Sequence, residues 1–208
     1  MKIGAAGLPA DISVPERASG AIIFAHGSGS GRFSPRNRLV AKQLNSAGLA
    51  TILFDLLTEA EAEDRNNVFD IPLLASRMSE AVSFSRGQNG LSRLPIGLFG
   101  ASTGAAAALM AAAKHGKHIG AVVSRGGRPD LALPVLHQVT TPTLLIVGGY
   151  DEEVIEMNRT ALAALSCEKR LEIIPGATHL FEESGTLDRV VELTMDWFSR
   201  HLGAGQQQ

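Results

Sequence analysis

Short apolar runs alternate with amphipathic segments along nearly the whole chain. Runs of five or six mostly apolar residues fit buried parallel strands, and segments with apolar residues at helical spacing fit helices packed on a sheet. The pattern predicts strands at 21–25, 49–54, 94–99, 120–124, 143–147 and 170–174. It predicts helices at 36–47, 71–86, 105–113, 131–137, 152–165 and 187–201. This alternation predicts an α/β fold, with one mostly parallel sheet and helices on both faces.

The repeating pattern indicates one folding unit. A chain of 208 residues falls within the size of single α/β domains, which reach about 200 to 250 residues. No internal repeat or interdomain linker interrupts it, and the acidic stretch at 59–64 is typical of a solvated loop or helix end. We therefore expect a single domain at 1–202. Residues 203–208 have no apolar content to bury and are expected to form a disordered tail.

Composition and charge narrow the function classes. The formal net charge is -2 and there is no long basic block, which argues against nucleic acid or a membrane surface as a partner. The first residues lack the apolar core of a signal peptide, and no apolar stretch approaches the roughly 20 residues that span a bilayer. The single cysteine, Cys167, has no partner for a disulfide or a zinc site. We expect a cytoplasmic protein without metal or cofactor that acts on a small molecule.

The most informative motif is Gly-x-Ser-x-Gly at residues 100–104. The pentapeptide alone is a weak signal, but here a strand precedes it and an alanine-rich helix follows, as in a nucleophile elbow. In that turn the serine adopts a strained backbone conformation, so the positions two before and two after it must be small. Gly100 and Gly104 fill those positions. The context predicts that Ser102 is a nucleophile.

An elbow serine needs a histidine base and a carboxylate that orients the histidine. In this type of fold the partners follow in the order Ser, Asp or Glu, His. Asp151 and His179 each follow a predicted strand, so both would lie with Ser102 at the carboxyl edge of the sheet. We predict these three as the catalytic residues. Glu152 and Glu153 are adjacent carboxylates that could replace Asp151 or cap the next helix.

The loop HGSGSG at residues 26–31 follows the first predicted strand. An oxyanion hole needs one N–H just after the nucleophile and one from an early loop of this kind. We therefore predict the backbone N–H groups of Ser28 and Thr103 as the two donors. His26 precedes the serine in the chain and cannot be the base, so we expect it to brace the loop by hydrogen bonding. The loop lacks the G-x-G-x-x-G spacing of a nucleotide site.

Four loops of the chain together resemble those of a known family. They are HGSGSG at 26–31, GASTG at 100–104, GGYDEEV at 148–154 and PGATHLFEE at 175–183. The set is similar to that of a small α/β-hydrolase of the dienelactone-hydrolase-like group, and the resemblance covers about residues 20–202. It implies an eight-stranded α/β-hydrolase core that hydrolyses esters or related acyl compounds through an acyl-serine. The first strand of that core is poorly marked in residues 1–20, so we expect seven or eight strands.

Two arginines, Arg125 and Arg128, follow a predicted strand at the same edge of the sheet as the predicted triad. The planar fork of an arginine can bind a substrate carboxylate or phosphate, so both are candidate substrate-binding residues. The alternative, which we favour, is that Arg125 pairs with an acidic residue such as Asp55 and shapes the loop.

These residues predict a serine carboxylesterase. The segment between Ser124 and Thr143 has room for one short helix but not for a lid domain, which favours an open pocket and short or polar acyl groups. Dienelactone hydrolase itself carries a cysteine at the elbow, where this chain has Ser102. Hydrolysis of a thioester, lactone or peptide by the same triad stays open, as does a non-catalytic binding module. The expected partner is a small-molecule ester, and homodimer formation is left open.

Overall fold

Eight strands form one sheet in the computed structural model of the protein, which describes residues 1–203. The strands are β1 (Lys2–Ile3), β2 (Leu8–Ser13), β3 (Gly20–Ala25), β4 (Leu49–Phe54), β5 (Ile96–Ala101), β6 (Ile119–Arg125), β7 (Thr143–Gly148) and β8 (Lys169–Ile174). Their order across the sheet is β1-β2-β4-β3-β5-β6-β7-β8. The pairs β1/β2 and β2/β4 are antiparallel, and all the other pairs are parallel. The predicted mostly parallel sheet is confirmed, with eight strands.

Helices cover both faces of the sheet. They are α1 (Pro35–Ser46), α2 (Glu59–Glu63), α3 (Arg65–Val68), α4 (Ile71–Gly87), α5 (Thr103–His115), α6 (Glu152–Ala164) and α7 (Thr186–Leu202). Helices α1 and α7 pack on one face, whereas α4 and α5 pack against each other on the opposite face. Between β6 and β7 the described chain contains one 3-10 segment, Pro129–Gln138, so no lid domain is inserted there.

Successive residues of the central strands enter opposite cores. Ile23 and Leu98 belong to the apolar cluster on the α4 and α5 side, whereas Phe24 and Phe99 belong to the cluster on the α1 and α7 side. Side chains alternate across a strand, so a strand that is covered on both faces needs an apolar residue at every position. This requirement explains the continuous apolar runs. Six of the seven alanines of α5 are buried, and their small side chains let the helix approach the sheet closely.

Three parts of the fold differ from the sequence expectation. Strands β1 and β2 form a hairpin that the pattern did not mark, because β1 has two residues and Ile3 is its single buried side chain. Strand β5 begins two residues later than predicted and extends to Ala101, so Ser102 follows it directly. The predicted short helix at 131–137 is the 3-10 segment, which contains Pro134.

Within the described residues no helix is both long and apolar enough to cross a membrane. The single domain at 1–202 stays a prediction. The predicted disordered tail at 203–208 lies, beyond Gly203, outside the described residues.

Candidate active site

Ser102 occupies the turn between β5 and α5 with a backbone φ of 50° and ψ of -124°. A positive φ at a residue with a side chain costs about 1–3 kcal/mol and is typical of functional turns. A Cβ at Gly100 would lie 2.4 Å from the Ala105 Cα, and a Cβ at Gly104 would lie 2.4 Å from the Ala25 carbonyl oxygen. The two glycines therefore let the chain turn tightly enough to present Ser102, as the motif predicted.

The structure brings His179 and Asp151 together. The His179 Nδ1 lies 2.6 Å from the Asp151 Oδ2, and the carboxylate can only accept, so Nδ1–H donates. Asp151 stands at the start of α6 but its side chain makes no capping bond, which leaves the carboxylate to the histidine. Glu152 and Glu153 are exposed in the first turn of α6. Of the three adjacent carboxylates, the contact to the histidine therefore belongs to Asp151.

Backbone contacts hold the two loops that carry this pair. The Gly149 N–H donates to the Ile174 carbonyl at 2.8 Å, and the Tyr150 N–H donates to the Ala177 carbonyl at 2.9 Å. A Cβ at Gly148 would lie 2.5 Å from the Ala177 carbonyl oxygen, so this close approach requires glycine. Backbone hydrogen bonds thus hold the loops after β7 and β8 together, in addition to the side-chain contact between Asp151 and His179.

The His179 loop lies against the turn that flanks Ser102. A Cβ at Gly126, where φ is 51°, would lie 3.0 Å from the His179 carbonyl oxygen and 3.6 Å from its ring Cε1. The Arg128 N–H on this same turn donates to the Ser102 carbonyl at 3.0 Å. The Ser102 hydroxyl makes no hydrogen bond to a described residue. Catalytic hydrogen bonds are often loose without substrate and tighten when it binds.

The loop after β3 approaches Ser102 from the other side. A Cβ at Gly27 would lie 2.8 Å from the Ser102 Cβ, so only glycine permits this approach. The predicted donor Ser28 N–H does not point freely into the site, because it donates to the Thr103 hydroxyl oxygen at 3.1 Å. The Thr103 side chain is buried. No sequence motif marked this hydroxyl, because a threonine after the nucleophile is not part of the elbow pattern.

His26 braces this loop, as predicted. Its Nε2 accepts from the Leu56 N–H at 3.0 Å, so the proton is on Nδ1, which faces the Gly27 carbonyl oxygen at 2.9 Å. Burial lowers the pKa of His26, although the Gly27 carbonyl and Asp55 act in the opposite direction. The neutral imidazole therefore ties the loop after β3 to the end of β4.

A cavity of about 450 Å³ opens beside the Ser28 loop and reaches Thr103. Its polar lining includes Arg32, Asp55 and Glu59. Its apolar lining includes Leu56, Leu57, Val68, Leu74 and Phe33. Much of this wall belongs to the segment between β4 and α4, and of the acidic stretch at 59–64, expected to be a solvated loop or helix end, Glu59 and Ala62 line the cavity.

Asp55 pairs with Arg32, not with Arg125, which corrects the sequence expectation. Both the backbone N–H and the guanidinium of Arg32 donate to the Asp55 carboxylate. Arg125 instead is 5% exposed and donates to the Asn37 amide oxygen at 3.1 Å. Burial, with a smaller effect of Arg36, lowers the pKa of Arg125 to about 10.

The two candidate substrate-binding arginines are thus both engaged within the protein. The guanidinium of Arg125 lies 6.0 Å from the centre of the Phe181 ring, in the core between β6 and α1. Arg128 forms a bidentate pair with Asp130 at 2.9 and 2.8 Å, and these hydrogen bonds raise the pKa of Arg128. No group of three or more His, Cys, Asp or Glu side chains in residues 1–203 could hold a metal ion.

Comparison with known proteins identifies similar chains. The family described as an alpha/beta hydrolase domain matches residues 18–201. The crystal structure of a dienelactone hydrolase from Anabaena variabilis is 52% identical with a TM-score of 0.92, over 96% of this chain and 94% of that chain. The α/β hydrolase GrgF from a Penicillium species has a TM-score of 0.82 over 94% of both chains, but at 16% identity this likeness shows the fold alone.

A protein from Mycobacterium tuberculosis is 56% identical over 191 residues, which make up 92% of this chain and 43% of that protein. It carries the provisional name of a phosphoribosyl transferase. The chain thus spans less than half the length of the curated relatives it matches. A name given to the whole of a longer protein assigns no activity to the part that is shared.

Proposed function

Because the chain belongs to the α/β-hydrolase domain family, we propose that it is a serine carboxylesterase that cleaves short-chain or polar carboxylic esters through an acyl-serine intermediate. The observation that carries this proposal is the 2.6 Å contact between His179 and Asp151 beside the strained elbow of Ser102. A strained nucleophile, a base and a group that orients the base are the three parts of an acyl-transfer site.

In the proposed reaction the Ser102 Oγ attacks the ester carbonyl carbon while the His179 Nε2 takes the hydroxyl proton. The tetrahedral intermediate collapses, the C–O bond to the alcohol breaks, and His179 returns the proton to the leaving oxygen. A water molecule then attacks the acyl-serine by the same route, which releases the acid and restores Ser102. Asp151 holds the Nδ1–H and stabilises the imidazolium that forms in both halves.

The negatively charged oxygen of the tetrahedral intermediate needs hydrogen-bond donors, and Thr103 offers two of them. The Thr103 backbone N–H lies at the start of α5, where the first N–H groups have no partner within the helix. The Thr103 hydroxyl accepts from the Ser28 N–H, which leaves its own hydrogen free to donate to the oxyanion. We assign the Ser28 N–H the role of orienting this hydroxyl, in place of the direct donation expected from its position in the loop.

The cavity reaches Thr103, the residue after Ser102, but neither Ser102 nor His179 lines it, so an acyl group would extend from the nucleophile into it along the Ser28 loop. Its volume of about 450 Å³ lies toward the low end of the range of about 300–1,000 Å³ for ligand sites. Arg32, the cation in its lining, is neutralised by Asp55. The pocket therefore favours neutral polar acyl groups over anionic ones.

Lactones are the second candidate substrates, because the 52% identical structure from Anabaena variabilis is that of a dienelactone hydrolase. A lactone is a cyclic ester, so Ser102 would open it by the same attack and the alcohol would stay attached to the acyl-enzyme. The cavity near Thr103 would then have to accept a ring instead of a linear acyl chain.

The test is hydrolysis of p-nitrophenyl acetate and of the aryl lactone dihydrocoumarin by the wild type and by Ser102→Ala. Circular dichroism checks that both proteins are folded alike. We expect turnover in the wild type and none above background in Ser102→Ala, and the ratio of the two substrates ranks esters against lactones. Equal rates in both proteins, or no turnover of either substrate, would overturn the proposal and favour a binding module.

A further inference from the structure

A second cavity, of about 660 Å³, opens at the opposite edge of the sheet from Ser102, where β5 and β6 begin. Its apolar lining includes Leu94, Pro95, Ile96 and Leu202. Its basic lining includes Arg86, Arg93, Lys117 and His118, which we call the basic groove. No acidic side chain of the described residues lines this cavity. The proposed esterase reaction uses none of these residues.

The cations of the basic groove have no carboxylate partner among the described residues. Most arginines of the chain pair with a carboxylate, but Arg86 and Arg93 form no such pair. The Arg86 guanidinium instead donates to the His118 carbonyl at 3.4 Å, which draws the end of α4 toward the segment after α5. Glu168 approaches the cavity at His201, at 3.6 Å, and not at the arginines.

Helix ends offset part of this charge. Helices α4, α5 and α7 end near the groove at Gly87, His115 and Leu202, and each carboxyl end carries about half a negative charge. Cations are common at helix ends for this reason. The three ends together offset about half of the formal charge of Arg86, Arg93 and Lys117. The groove is therefore more positive than helix-end stabilisation requires, in a chain whose net charge is -2.

Charged groups of the basic groove also affect the pKa of His115, which lies two residues before Lys117. Burial lowers the pKa of His115, and electrostatic interactions with Lys114, Arg86 and His118 lower it further. Two groups of the basic groove, Arg86 and His118, thus act on the same neighbouring side chain.

We propose that the basic groove binds an organic phosphate with at least two negative charges. Arginine forks match the geometry of phosphate oxygens, and two of them with a lysine can neutralise a diphosphate. Leu94 and Pro95 in the same lining provide apolar contacts for the organic part of the ligand. The volume lies within the range of small-molecule sites.

Isothermal titration calorimetry with ADP, pyrophosphate and adenosine tests this proposal. We expect ADP to bind more tightly than pyrophosphate, and adenosine, which has the same organic part without charge, to bind about tenfold more weakly than ADP. Binding of ADP should weaken when the salt concentration rises from about 50 to about 200 mM, because exposed charges are screened.

Variants locate the site. Arg86→Gln and Arg93→Gln are each expected to weaken ADP binding about tenfold. Lys42→Gln and Arg65→Gln remove exposed cations elsewhere and are the matched controls. Ser102→Ala should bind ADP like the wild type, because the groove lies at the opposite edge of the sheet from Ser102. The proposal is overturned if ADP produces no binding signal, if adenosine binds as well as ADP, or if the groove variants behave like the controls.

Discussion

The Ser28 N–H donates to the Thr103 hydroxyl across 3.1 Å, and this bond joins the loop after β3 to the first residue of α5. The two residues are the donors that sequence spacing predicted for an oxyanion hole. Their direct contact means that one donor orients the side chain of the other. The bond thus holds the Thr103 hydroxyl in place next to Ser102 before any substrate binds.

Replacing Thr103 with valine should lower kcat for p-nitrophenyl acetate about 10- to 100-fold, since loss of one oxyanion donor costs up to about 10²–10³ in rate. Valine has the same shape as threonine but cannot accept from the Ser28 N–H or donate to substrate. Thr103→Ser keeps the hydroxyl and should retain most of the activity. Wild-type kcat in Thr103→Val would remove the hydroxyl from the mechanism.

Asp151→Asn should fold like the wild type and lose about 10⁴-fold in kcat, because the amide no longer selects the Nδ1–H tautomer of His179. Stopped-flow or steady-state hydrolysis at matched circular dichroism measures the loss. Glu152→Gln and Glu153→Gln remove the neighbouring carboxylates, which are exposed, and should leave kcat within about twofold of the wild type. A large loss in either control would move the orienting role to that residue.

The stability of the protein should fall below about pH 6.5 partly because of His26. Burial lowers the pKa of His26, so the unfolded chain takes up the proton before the folded protein does. The contribution of His26 is therefore full above the unfolded pKa and is lost as the pH falls through the lowered value.

Urea unfolding of the wild type and of His26→Gln at about pH 7.5 and about pH 5 checks this sign. The glutamine amide can donate and accept without titrating, so the variant should lose less stability on acidification. His115 and His201 remain in both proteins and should cause a residual loss, because burial also lowers their pKa values. An equal loss in both proteins would show that His26 does not contribute.

Gly100→Ala should lower the free energy of unfolding by about 2–3 kcal/mol, because the new methyl group would meet the backbone of Ala105 at 2.4 Å. Gly87→Ala is the matched control, since Gly87 lies in α4 with nothing within 4 Å of the added carbon. That control should be neutral or should stabilise by up to about 1 kcal/mol. Urea unfolding of both variants makes the comparison, and equal effects would contradict the tight turn at Gly100.

The sequence alone predicts those features whose structural requirement falls on a few adjacent residues. The turn at Ser102 needs two glycines at fixed spacing, and His179 and Asp151 each follow an apolar run that ends at one edge of the sheet. Parallel strands bring such ends together, so the contact between His179 and Asp151 follows from topology. The bracing role of His26 followed from its place before a glycine loop.

The sequence does not predict which of several distant residues a side chain or a short strand pairs with. Asp55 lies at a strand end within reach of several cations, and the pattern does not tell whether Arg32 or Arg125 turns toward it. The direction of a side chain at a strand end depends on register, which placed Arg125 in the core against Asn37. Strand β1 was missed because its pairing with β2, and not its own two residues, defines it.

Strand β8 lies at the edge of the sheet and pairs with β7 alone among the described strands, whereas β5 is buried between β3 and β6. Edge elements open by local unfolding at a lower free-energy cost than central ones, so amide hydrogen exchange should be faster in β8 than in β5. His179 follows β8 and Ser102 follows β5. The proposed base thus belongs to the part that opens first, and hydrolysis should be lost at denaturant concentrations that leave the centre of the sheet folded.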